Sequence, residues 1–268
     1  MLQLLFKKAN NRLLFSAFIS FALLLAARPA QAQDPQGPRL SDANFNTWLM
    51  FFSDARLTDR WGVHTEAQWR RARGVKSPMQ DFGRVGINYH VNDKVMLTSG
   101  YAYALTYPYG DFPAAEKFPE HRIYEQLLLR SAHGPFQLSH RYRLEQRWLR
   151  RPLQTDYTYL NRTRYQFRAV LPLARAAEGL TPRTPYLAAY DEVFVSFGKN
   201  VTRNVFDQNR AYAAFGYQFT KPLSLELGYL YQIVAQGNGV VFEHNHTLQV
   251  GLNFNPDFRP NAQTPPAP

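Results

Sequence analysis

The sequence has 268 residues, no cysteine, 15% aromatic residues and a formal net charge of +11. The missing cysteine excludes a disulfide framework, a thiolate metal site and a cysteine nucleophile. Beyond the N-terminal region no stretch is apolar enough to cross a bilayer as a helix, which excludes a helical inner-membrane protein.

The first 32 residues read as a cleaved export signal. Lys7, Lys8 and Arg12 supply the positive start, residues 13–27 the apolar segment, and Ala30-Gln31-Ala32 the cleavage site. The apolar run is about 15 residues, short of the roughly 20 that a spanning helix needs. The leader holds four basic residues and no acidic one, so the mature chain from Gln33 carries +7. Of its cations, 22 are arginine and 5 lysine. Solvated faces use lysine freely, whereas guanidinium forks suit paired, partly buried ionic networks. Export argues against nucleic acid as a partner.

After a periplasmic lead-in at 33–43, strand-like segments follow at 44–57, 61–73, 80–92, 94–107, 119–132, 136–149, 156–171, 185–198, 207–220, 222–235 and 243–254. Most exceed the 5–6 residues usual in soluble proteins and match the roughly 9–11 that a tilted barrel strand needs to cross hydrocarbon. Segment 137–148 shows the pattern. Gln137, Ser139, Arg141, Arg143, Glu145 and Arg147 alternate with Leu138, His140, Tyr142, Leu144, Gln146 and Trp148. Alternate side chains of a strand point to opposite faces, so one face is charged and the other largely apolar and aromatic. Similar alternation recurs at 61–71, 82–91, 94–105, 159–168, 210–219, 223–232 and 247–254.

Behind an export signal this repetition predicts an all-β fold: a transmembrane antiparallel up-and-down β-barrel at 44–255, apolar face in lipid and charges inside. Trp61, Tyr107, Trp148, Tyr229 and Phe254 lie near strand ends, as interfacial girdles require. Short connections at Thr58–Arg60, Asn92–Asp93, His133–Gly134 and Lys221 alternate with longer ones at 74–79, 108–118, 150–155, 199–206 and 236–242, the segment 172–184 being the exception. Short turns are expected in the periplasm and longer loops outside. Eleven segments conflict with the even strand number of bacterial barrels, so about twelve strands are expected, with ten as the alternative. The Pro-rich tail, 256–268, is expected to be disordered.

Five strings, Glu120-His121-Arg122, Arg143-Leu144-Glu145-Gln146-Arg147, Glu192-Val193-Phe194, Asn209-Arg210 and Gly228-Tyr229-Leu230, occur in this order and spacing. Together they resemble an uncharacterised family of bacterial outer-membrane proteins, domain of unknown function 2490, over about 44–254. The resemblance implies an outer-membrane barrel and supplies no activity or catalytic residues.

The candidate site is the inward charge network: Glu66, Arg70, Arg84, Glu120, Arg122, Arg141, Arg143, Glu145, Arg147, Arg162, Arg164, Arg168, Glu192, Arg210 and Glu226. Buried charges must be paired or hydrated, so the network either fills and rigidifies the barrel or forms a basic constriction for anions. Lipid hydrolysis would need a His followed two residues later by a Ser, both on one face. Ser139 and His140 are adjacent and point apart, and no His-x-Ser pair exists. His244 and His246 share a face but lack a third ligand for a metal. The loop 107–118 is aromatic and could bind a partner or fold into the barrel mouth.

The expectation is a non-enzymatic channel or binding barrel for small, preferably anionic solutes, without cofactor or metal. A closed structural or interaction barrel is the alternative and a lipid-modifying enzyme the third reading. Its expected partners are membrane lipid and the outer-membrane barrel-assembly machinery, and its expected location the bacterial outer membrane.

Overall fold

The computed structural model describes residues 39–173 and 180–260. The expected export signal, most of the expected lead-in, and the tail beyond residue 260 lie outside the described residues.

Eleven strands make one closed barrel: β1 (Leu40–Arg56), β2 (Trp61–Ala72), β3 (Ser77–His90), β4 (Val95–Thr106), β5 (Phe118–His133), β6 (Phe136–Leu149), β7 (Thr158–Pro172), β8 (Thr184–Phe197), β9 (Phe206–Gln218), β10 (Leu223–Ala235) and β11 (Val241–Phe254). Each pairs antiparallel with its sequence neighbours, and β1 closes on β11 in parallel, from Leu40↔Val241 to Phe52↔Asn253. The count of eleven segments therefore stands, between the expected twelve and the alternative ten. In an up-and-down barrel of odd count the first and last strands run the same way, so closure is parallel. It also places the start of β1 at the mouth with the longer connections, opposite the end of β11. Residues 40–43, expected in the lead-in, belong to β1.

The start of the tail is held. The Phe258 N–H donates to the Arg56 carbonyl at 2.8 Å, and Arg259 forks onto Asp257 at 2.9 and 2.7 Å. Those hydrogen bonds hold the Asp257 carboxyl down at about 2. Residues 255–260 thus pack under the β1–β2 turn, contrary to a tail disordered from residue 256.

Outward positions are apolar: Leu49, Val85, Ile87, Leu97, Ile123, Leu144, Phe215, Leu227, Leu248 and Leu252 are exposed. Carboxylate–amide pairs also lie on this face, Gln146 to Glu125 at 3.1 Å and Asn209 to Asp191 at 3.1 Å. Inward positions are mostly polar, charged or aromatic, the inverse of a water-soluble sheet. Gly86 and Gly100 face each other on β3 and β4, and a β-carbon at either would collide with Tyr124. Their bareness admits this buried ring to the interior. The β4–β5 connection reaches across the mouth: Gly110, at φ 77°, lets the backbone turn against Asp42, whose carboxylate accepts from the Asp111 N–H at 3.2 Å.

Candidate functional site

All fifteen residues of the expected network point into the barrel. Fourteen line a cavity of about 420 Å³, and Glu145 lies beneath its wall, fully buried. Cross-strand registers bring them together. Gln126 faces Arg143 and Arg122 faces Arg147 between β5 and β6, while Glu145 faces Arg162 between β6 and β7.

Glu145 is the hub. It accepts from Arg162 at 2.6 Å, Arg164 at 2.8 Å and, across the lumen from β3, Arg84 at 3.4 Å. Arg84 also pairs with Glu66. Glu192 accepts from Arg164 at 2.8 Å and Arg141 at 2.9 Å, and Glu120 from Arg122 at 2.6 Å and Arg147 at 2.5 Å. Arg168 reaches Glu226 on β10 at 2.5 Å. Several of these bonds join strands that are not neighbours, so they cross the lumen as chords.

Three arginines stand apart. Among the described residues, Arg70, Arg143 and Arg210 meet no carboxylate within the distance of an ion pair. Arg70 donates to Gln80 at 2.8 Å and to Gln68; Arg143 donates to Gln126 at 3.0 and 2.5 Å. Gln232, its amide oxygen turned to the guanidinium, accepts from Arg210 at 3.2 and 3.3 Å. Each also lies over an aromatic ring: Arg70 over Trp48 at 4.0 Å, Arg210 over Phe194 at 4.8 Å and Arg143 over Tyr124 at 5.2 Å. Neutral amides and ring faces solvate these cations without neutralising them.

Strict alternation missed several members of the site. The β8–β9 register shifts between Phe194 and Val195, a bulge that turns both Asp207 and Gln208 inward. Asp207 then accepts from Arg162 at 2.6 Å. A shift between Arg70 and Arg71 in the β2–β3 pairing likewise buries Met79. On β2, His64 bonds Asp54 at 2.8 Å and lies 3.6 Å from Glu66. From the mouth loop, Tyr109 donates to Glu243 at 2.6 Å. Its burial, and the carboxylate beside it, push its hydroxyl well above the usual tyrosine range.

Ser139 lines the cavity while His140 faces out and bonds the Tyr165 hydroxyl at 2.9 Å. Among the described residues no serine hydroxyl is hydrogen-bonded to a histidine, and no group of three potential metal ligands gathers. His244 and His246 face out, each on a tyrosine hydroxyl, Tyr231 at 2.7 Å and Tyr229 at 2.6 Å.

The family described as Protein of unknown function (DUF2490) matches residues 45–243, nearly the whole barrel. The chain belongs to the DUF2490 family. The match spans β1 to the start of β11 and covers every residue of the charge network. No curated protein and no solved structure matches this DUF2490 barrel. Its interior therefore has to be read from its own chemistry.

Proposed function

We propose that this DUF2490 protein is an outer-membrane barrel whose arginine-lined interior takes up small anionic solutes. The inversion of polarity carries the reading: apolar side chains cover the outside while ten arginines line the cavity. Lipid is the solvent that accepts such an exterior, and a closed barrel satisfies every backbone group within it. Ten arginines line the cavity against six carboxylates, with Glu145 a seventh beneath, so the lining is net cationic. The chords across the lumen favour a narrow, binding interior over a wide pore.

The cross-lumen ion pairs also support the second reading, a closed structural barrel. Current through the refolded mature protein in a planar bilayer under a potassium chloride gradient separates the two. A small conductance with a reversal potential displaced toward the anion is the expected result. A large unselective current, or cation preference, overturns the anion reading, and silence from folded protein supports the closed barrel.

A further inference from the structure

We infer that Arg70 and Arg210 form the anion-holding pair of the cavity, and that its ligand is a small organic carboxylate with an apolar body. This rests on the anion reading above and narrows it to a site and a ligand class.

Of the ten cavity arginines, Arg70, Arg143 and Arg210 are those that meet no carboxylate within the distance of an ion pair among the described residues. Each is more than nine-tenths buried. An unneutralised buried guanidinium is costly, and an anion from solution is the partner that relieves the cost. Two of the three converge. Arg70 on β2 lies 4.0 Å and Arg210 on β9 lies 5.2 Å from the same Trp48 ring, so the two guanidinium groups share one neighbourhood. Arg210 sits cross-strand from Glu192, but that carboxylate is taken by Arg164 and Arg141. Arg143 is held on the opposite wall by Gln126 and belongs to a separate neighbourhood with Arg84 and Tyr124.

The same end of the cavity is apolar. Met50, Phe52, Met79, Tyr109 and Tyr190 line it, and all five belong to or pack against the cluster built round Trp48. Charged forks beside an aliphatic and aromatic wall suit an acid head on an apolar body, oriented by bidentate bonds and covered by side chains. A volume of about 420 Å³ admits a ligand of that kind. Inorganic phosphate meets the charge alone and leaves the apolar wall unused.

Trp48 reports on the site, because it is the one tryptophan of four that faces inward; Trp61, Trp69 and Trp148 face out. The test titrates the refolded mature protein in detergent micelles with benzoate, benzyl alcohol and inorganic phosphate, reading tryptophan fluorescence and heat of binding. Benzoate is expected to bind at least tenfold more tightly than either control, and Arg70→Gln and Arg210→Gln each to weaken it at least tenfold. Neither substitution orphans a carboxylate, and Arg70→Lys, which keeps the charge, covers the case in which the neutral variant does not fold. Phosphate binding as tightly as benzoate overturns the ligand class. Benzoate binding unchanged in both glutamine variants overturns the site while leaving the anion barrel standing. Absence of benzoate binding together with anion-selective current also overturns the site alone, whereas absence of both removes the anion reading with it.

Discussion

At the scale of single residues, the arginines that looked equivalent in sequence divide into two kinds. Arg84, Arg122, Arg141, Arg147, Arg162, Arg164 and Arg168 are tied to carboxylates; Arg70, Arg143 and Arg210 rest on amides and rings. Mutation of the two kinds has opposite consequences. Glu145→Ala strips a fully buried carboxylate from three arginines and is expected to destabilise the fold by about 3–5 kcal/mol. Arg143→Met leaves only Gln126 without its donor and is expected to cost about 1 kcal/mol or less, since removing a buried unpaired charge offsets the lost hydrogen bonds. Urea unfolding of both variants beside the parent protein measures the contrast. Equal midpoints for the two variants refute the division.

At the scale of the strand, closure depends on β1 and β11 running in the same direction. Partners on this seam differ by a constant 201 in number, as in Thr47↔Leu248 and Phe51↔Leu252. An antiparallel seam through Thr47 and Leu248 would instead bring Phe51 beside His244, because the numbers of antiparallel partners have a constant sum. The parent chain has no cysteine, so pairs can be introduced without background. Thr47→Cys with Leu248→Cys, and Phe51→Cys with Leu252→Cys, are both expected to cross-link under mild oxidation. Phe51→Cys with His244→Cys is expected to stay unlinked. Cross-linking of that last pair overturns the parallel closure. The bulges belong to this scale too, since each moves one residue across the sheet and breaks the parity on which alternation depends.

For the whole molecule, the exterior decides which solvent the barrel is built for. Val85 is about half exposed in the middle of β3, with its neighbours Arg84 and Gly86 turned inward. If the outer band lies in lipid, Val85→Arg costs about 2–4 kcal/mol near the bilayer centre. Urea titration of the protein folded in phospholipid vesicles is expected to show that loss. A barrel surrounded by water would take the arginine with little change. The outward pairs Glu125–Gln146 and Asp191–Asn209 fit the same solvent argument, because each outward carboxylate accepts from an amide on the adjacent strand.

The sequence by itself marked eleven strand segments, although the even-number rule pointed to twelve or ten, and it set the sidedness of most side chains. A period of two, repeated over eight of the eleven segments, assigns the two faces wherever no bulge intervenes, and the ordered strings Glu120-His121-Arg122 to Gly228-Tyr229-Leu230 marked the family. Tertiary structure decided what a period cannot express. Parallel closure follows from the odd count only once the ends meet. The inward turn of Asp207 follows from a bulge in its pairing with β8, and the descent of Tyr109 onto Glu243 from a loop that crosses the mouth. Above all, which arginines keep a free charge depends on chords between strands far apart in sequence, because a guanidinium reaches across a lumen and its partner cannot be read from spacing along one strand.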